Sequence, residues 1–258
     1  MKLLSLLAVV FYVNYIHSEN SMNKLEILKH LENCYDAMRP ATEKSEQAFA
    51  WFSDIPHPLF NVVMHLSCKD VDAKIDTLIE KAPTGNPVSF WVHPGNRAEG
   101  LVEILKGKGF APIITCPLMA WPVRPVMTSE CDIRSAKKNM AVFNQVTSVV
   151  FHFDEIMKQK YADILKTFDS ENYLLFVNDE PIATGILFSN GNIGGIFNVA
   201  VLPEHQKKGY GRALMEFLMH RANELRLKQL VLLSSPIAEK LYSDLGFEKI
   251  FDVEMYAR

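Results

Sequence analysis

The chain has 258 residues, 48% of them apolar, with 27 Lys and Arg against 30 Asp and Glu for a net charge of −3. That length allows one large domain or two small ones and buries a sizeable core without disulfide or metal staples. The balance of charge lacks the basic surplus of a nucleic-acid protein, 12 Gly and 13 Pro argue against collagen-like or low-complexity chains, and a mean hydropathy of +0.02 does not suit a multi-span membrane protein.

Met1-Lys2 precedes a short apolar run over 3–13, which resembles the start of a secretory signal. The run is shorter than the ~20 apolar residues of a membrane span, and Ile16-His17-Ser18 is not an A-x-A cleavage site. Three readings of residues 1–21 stay open: a signal, a membrane-tethering helix, or an over-extended reading frame ahead of an internal start at Met22. Beyond them, Leu25, Leu28, Leu31 and Cys34 have helical spacing. Ser53-Asp54-Ile55-Pro56-His57-Pro58 is a turn-rich connector, and 59–66 reads as a strand. A helix follows through Val71, Ile75, Leu78 and Ile79. After a Pro/Gly loop over 82–87 come a strand at 88–92, a helix at 98–108 that stops at Gly109, and a strand at 113–121. Pro122, Pro125 and the polar stretch to Glu130 form a linker.

A second series starts with a short strand at 131–134 and one or two amphipathic helices within 140–166. Strands at 173–177 and 182–189 flank the hairpin signal Asn178-Asp179-Glu180-Pro181. Asn190-Gly191-Asn192 turns into a strand at 195–201. A helix then runs to Arg226 with an apolar face of Leu214, Phe217, Leu218, Ala222 and Leu225. A strand at 230–233, a helix at 237–245 closed by Gly246 and a strand at 250–256 complete an α/β chain. Strand, helix, Gly-Phe and strand occur around both Gly109-Phe110 and Gly246-Phe247, either as a diverged duplication or as a chance recurrence. The division is an extension over 1–21 and two units over 22–126 and 127–258. Cys34, Cys68, Cys116 and Cys131 form no CxxC pair and no zinc spacing; reduced, mostly buried thiols and no structural metal are expected.

Chemistry concentrates in Val199-Ala200-Val201-Leu202-Pro203-Glu204-His205-Gln206-Lys207-Lys208-Gly209-Tyr210-Gly211-Arg212-Ala213-Leu214. An apolar strand ends at a proline, and two glycines open an amphipathic helix. Glycines leave backbone N–H groups bare, and the helix N-terminus adds partial positive charge, so the bend is an anion seat suited to a diphosphate. Lys207, Lys208 and Arg212 surround it. A Walker loop, GxxxxGK[ST], is absent. The dinucleotide fingerprint GxGxxG fails at Leu214, and no parallel βαβ unit with an acidic partner is foreseen after it. The string Gln206-x-x-Gly209-x-Gly211 matches the Q/R-x-x-G-x-G/A pattern of the CoA-diphosphate loop.

On these residues, 131–258 resembles a complete domain of the GNAT acetyltransferases. Ile55-Pro56-His57-Pro58-Leu59-Phe60-Asn61, Gly195-Ile196-Phe197-Asn198-Val199-Ala200-Val201-Leu202-Pro203 and Leu245-Gly246-Phe247 extend the likeness from about Met22 onward, to a bacterial subfamily of two-part GNAT-like proteins. The resemblance implies a mixed, mostly antiparallel sheet flanked by helices, with a degenerate GNAT-like first half, and transfer of an acetyl group from acetyl-CoA to an amine by direct attack. It implies that the pantetheine arm runs along Val199, Ala200 and Val201. The diphosphate would rest on Gln206, Lys207, Lys208, Gly209, Tyr210, Gly211 and Arg212, and Tyr242 would lie near the sulfur as general acid. A phenol keeps its proton at neutral pH and so can donate as thiolate departs. Ser235 stands where many members carry a cofactor-holding Asn. Asn198 is a candidate for the cleft; packing and turn-forming roles are the plain alternatives for it and for Tyr242. Neither strand at 195–201 nor 230–233 holds a carboxylate or His, so no general base is assigned. The first half lacks the loop, and Leu105 occupies the place of Tyr242, so it would wall the acceptor pocket, with His57 and Asn61 as substrate candidates and turn-forming as their plain role. The expected partner is a small-molecule or peptide amine, without nucleic acid or stable membrane association, in the cytoplasm, or exported or tethered should the leader be real. A non-catalytic acyl-CoA-binding sensor or scaffold is the alternative.

Overall fold

A computed structural model describes residues 24–96 and 98–258; the readings of the leader lie outside them. Among the described residues no helix is long and apolar enough to cross a membrane. The first half contains α1 (Lys24–Met38), β1 (Glu43–Lys44), β2 (Ala48–Phe52), β3 (Asn61–Leu66), α2 (Val71–Lys81), β4 (Ser89–Val92), α3 (Leu101–Gly107) and β5 (Ala111–Pro122). The second contains β6 (Asp132–Ser135), α4 (Met140–Val150), α5 (Glu155–Thr167), β7 (Glu171–Val177), β8 (Glu180–Asn190), β9 (Ile193–Val201), α6 (Tyr210–Glu224), β10 (Gln229–Leu233), α7 (Glu239–Asp244) and β11 (Glu248–Ala257).

All strands join one sheet in the order β1-β2-β3-β4-β11-β5-β10-β9-β8-β7-β6. Only β3 with β4 and β9 with β10 run parallel; the sheet is therefore mixed and mostly antiparallel, and helices flank it. The halves exchange their last strands. β5 pairs with β10 along Leu118–Leu233 to Pro122–Gln229, β11 pairs with β4, and β5 and β11 pair along nearly their whole lengths. Outward from that central pair the order is β4-β3-β2 on one side and β10-β9-β8 on the other, with the parallel pair in matching places. Neither half leaves an open edge at the centre, because each covers the other's.

α6 lays Leu214, Met215, Leu218 and Ala222 on a core with Leu187 and Leu230. Gly194 permits the close approach: a Cβ there would stand 2.7 Å from Leu230. Ile27 and Leu31 of α1 belong to a second cluster with Trp51 and Val231. Phe143 and Leu165 of α4 and α5 belong to another with Leu174 and Ile186. α2 and α3 contribute Ile75, Leu78, Leu101 and Leu105 to a core of the first half.

Three readings are corrected. β2 was not foreseen, although Ala48-Phe49-Ala50-Trp51-Phe52 is a wholly buried apolar run of the kind central strands carry. α1 forms a helix as its spacing implies; it buries Ile27, His30, Leu31 and Cys34 and leaves Leu25 52% exposed, a face selected by contact with the sheet. β9, α6 and β10 do make a parallel crossover. Of the four free thiols only Cys34 and Cys116 are buried.

Candidate active site

The parallel pair β9–β10 lasts three residues, Ile193 with Gln229, Gly194 with Leu230 and Gly195 with Val231. β9 then continues to Val201 beside β8 alone, so its backbone from Ile196 faces a gap. Backbone groups beside such a gap need a partner. Within it the register against β8 shifts between Thr184 and Ile186. Asn198 sits at φ +50, the left-handed region that Asn tolerates better than most residues. This is a β-bulge. The Thr184 hydroxyl donates to the Asn198 carbonyl at 3.1 Å, and the Asn198 amide donates to the Tyr161 hydroxyl on α5.

At the far end of β9 a 3-10 turn (Pro203–His205) leads to the glycine bend. Gly209 caps α6 at φ +89 with no side-chain cap. Among the described residues the N–H groups of Lys207, Lys208, Gly209, Tyr210, Gly211 and Arg212 have no hydrogen-bond acceptor; the first helical bond is Ala213 to Gly209 at 3.0 Å. Uncapped N–H groups at a helix start want an anion. Lys207 and Lys208 are exposed without an acidic partner among the described residues, and Arg212 reaches only Glu216 at 4.0 Å. Gln206 spends its amide on the Val201 carbonyl at 3.0 Å, so it ties the loop to the strand end. A Cβ on Gly211 would stand 3.7 Å from both Val201 and Leu241. The bare Gly211 therefore leaves a notch between β9 and α7.

The same place in the first half is filled. β3 and β4 pair at Val62–Ser89 and Val63–Phe90 and then part. There the His93 Nε2 bonds the Met64 carbonyl at 2.8 Å and stitches the gap. The helix after β3, α2, is capped by the Asp70 carboxylate, which accepts from the Ala73 N–H at 3.2 Å. A carboxylate sits where an incoming anion would go.

Tyr242 on α7 is 7% exposed and packs 6.0 Å from Phe247, in one cluster with Ala213 and Leu214. Burial pushes its hydroxyl up to about 12, and the hydroxyl has no partner among the described residues. Ser235 is exposed, and its carbonyl accepts from the Ser234 hydroxyl and the Ala238 N–H. Asn61 has no exposed surface: its amide donates to the Ile55 and His57 carbonyls and accepts from the Ser53 N–H. His57 accepts from the Leu59 N–H through Nδ1 at 3.2 Å. Asn61 builds the loop, whereas the part-exposed His57 commits only its Nδ1 to it; that loop places Phe60 against Tyr161.

Sequence reading missed Thr184, Tyr161 and His30, because nothing in the spacing ties them to β9. His30 of α1 is 2% exposed, and its Nε2 has no partner among the described residues. That atom would lie 3.0 Å from a Cβ on Gly195, just where β9 and β10 part. Burial lowers its pKa to about 4, so the folded chain holds it neutral. The unfolded chain binds its proton near ~6.5. Stability that is complete above pH ~6.5 is therefore lost as the pH falls toward 4, by roughly 3 kcal/mol for this one group. Denaturant melts across that window should show His30→Leu with a flatter slope; an unchanged slope refutes the assignment. His57 and His93 shift the same way through burial, so the slope shrinks without vanishing.

Residues 141–247 match the acetyltransferase (GNAT) family. No curated protein matches the sequence. Among solved structures, the fold is similar to a GCN5-related N-acetyltransferase from Kribbella flavida, at 13% identity and TM-score 0.64 over 88% of this chain and 94% of that one. It is also similar to a functionally unknown conserved protein from Staphylococcus epidermidis, at 15% identity and TM-score 0.58 over 84% and 93%. A third likeness is a GCN5-related N-acetyltransferase from Sphaerobacter thermophilus, at 13% identity and TM-score 0.56 over 72% and 64%. The first two likenesses span both halves, and at these identities they are likenesses of fold.

Proposed function

From the match of residues 141–247 to the acetyltransferase (GNAT) family we propose that the chain is an acetyl-CoA-dependent N-acetyltransferase acting on an amine by direct attack. The observation that supports this reading is the row of six free N–H groups at the uncapped start of α6, beside the unpaired length of β9. The matching place in the first half, with Asp70 and His93, is stitched and capped. The donor set suits a diphosphate with an amide-bearing arm, and no Cβ at Gly211 obstructs it.

Acetyl-CoA supplies the acyl group as a thioester. The backbone of Lys207 to Arg212 holds the diphosphate, and Lys207 and Lys208 add charge. The backbone of Val199, Ala200 and Val201 pairs with the arm and orients it. The Tyr242 hydroxyl keeps its proton at neutral pH and delivers it to the leaving sulfur as the C–S bond breaks; the nitrogen that forms the amide bond gives up its proton to water, and solvent reprotonates the phenolate. The Ser235 hydroxyl, in the loop after β10, is a further candidate to bond the cofactor. The two halves are read as diverged copies, the first without a cofactor seat, and the protein is read as cytoplasmic.

Calorimetry with acetyl-CoA, followed by thiol release across a panel of small-molecule and peptide amines, tests the reading. Micromolar binding with turnover of at least one amine is the expected outcome; absence of binding refutes it. A second reading, an acyl-CoA-binding sensor, draws on the lack of a carboxylate in β9 and β10. Binding without turnover on any amine selects it.

A further inference from the structure

We propose that the first half positions the reactive strand of the second, through Phe60 and Tyr161 acting on the bulge at Asn198. The proposal rests on the acyl-transfer reading for its kinetic consequence, though not for its structural one.

The loop before β3 is held from within. Asn61 bonds both Ile55 and His57 carbonyls at 2.8 and 3.2 Å. The Ser53 hydroxyl accepts from Ile55 N–H at 3.1 Å, and the Ser89 hydroxyl of β4 donates to the Pro58 carbonyl at 2.8 Å. Such a loop presents Phe60 as a fixed edge. Phe60 meets Tyr161 edge-on at 5.8 Å and Phe153 at 6.0 Å, and Phe153 meets Tyr161 at 5.4 Å. Aromatic rings favour these T-shaped contacts. Lys160, beside Tyr161, donates to the Asp54 carbonyl of the same loop. Tyr161 is thus gripped by the first half on one side, while its hydroxyl receives the Asn198 amide on the other.

Asn198 needs that grip. Its φ of +50 is costlier for a side-chain-bearing residue than extended backbone. Without a tether, β9 relaxes toward a regular ladder with β8. Thr184 and the buried Thr147, 3.4 Å apart, hold the carbonyl side of the bulge; Tyr161 holds the side chain. The bulge lies on the unpaired length of β9, away from the glycine bend. Its distortion therefore turns the N–H groups that face the thioester carbonyl and leaves the diphosphate seat alone. Phe60 and Tyr161 are positioning residues, and the chain linking them to the reaction crosses from one half to the other.

Two measurements on the full chain test this. Hydrogen exchange of the amides at 197–200 needs no substrate. Tyr161→Phe should accelerate it about tenfold, as loss of one net hydrogen bond implies, and Phe60→Leu by a similar factor through loss of its edge-on ring contact, with exchange in α6 unchanged. Unchanged exchange at 197–200 in both variants overturns the proposal, whatever the enzyme does. In the kinetic arm both variants should lower kcat about tenfold with the acetyl-CoA dissociation constant within about twofold of wild type. In the Tyr161→Phe background, Asn198→Gly should recover part of the rate, because glycine holds φ +50 without a tether. Wild-type kcat in both variants, or a loss of cofactor affinity matching the loss of rate, also overturns it. Altered exchange in a protein that acylates no amine upholds the structural coupling and sinks the acyl-transfer reading instead.

Discussion

Gly211→Val is expected to weaken acetyl-CoA binding by about a hundredfold or more, equivalent to about 2.7 kcal/mol, while the fold survives. The position is helical, and its Cβ would meet only Val201 and Leu241, each at 3.7 Å. The protein itself has room for a first side-chain atom. The additional methyls of valine fill the notch between β9 and α7 and keep a diphosphate from reaching the N–H groups of Lys207 to Arg212. Hydrogen bonds to charged groups contribute ~1.5–3 kcal/mol each, so loss of one or two yields an effect of this size. Gly209→Ala is a useful contrast. At φ +89 it strains the backbone itself and lowers stability by about 1–2 kcal/mol along with affinity. Calorimetry and thermal melts on both variants separate the two. Wild-type affinity in Gly211→Val would remove the glycine bend from the cofactor seat.

Tyr242→Phe is expected to lower kcat on the order of 10²-fold with unchanged cofactor affinity and unchanged melting temperature. The ring is buried against Phe247, and phenylalanine preserves that packing. The hydroxyl has no protein partner among the described residues, so its removal breaks no internal hydrogen bond. What disappears, on the proposed acyl-transfer reading, is the proton for the leaving thiolate. Because burial lifts the group to about 12, it stays protonated across the assay range, and a rate fall between pH 7 and 10 would not come from Tyr242. A variant with full kcat would remove its acid role and leave it a packing residue.

The glycine bend was legible in the sequence because its geometry is local. Gln206, Gly209 and Gly211 sit within six consecutive residues, between an apolar strand and an amphipathic helix. Backbone donors at a helix start need no distant partner. The spacing also carried α2, β7, β8 and the apolar face of α6. Gln206 shows the limit of motif reading: its side chain faces the Val201 carbonyl, a bond that the pattern alone does not specify. β2 was missed because a five-residue apolar run has no period to detect. Asn61 was marked for its polarity, yet its bonds close upon its own loop.

By itself the amino-acid sequence determined most of the strands and helices, the place of the glycine bend before α6 and the resemblance that goes with it, since each depends on neighbours a few positions apart. Only the tertiary structure decided that β5 and β11 cross between halves, that His93 and Asp70 fill the first half's cleft, and that Tyr161 and His30 flank β9. Those contacts join residues far apart in the chain. They follow from which faces the single sheet buries, a choice made by packing the whole chain at once and written in no local pattern.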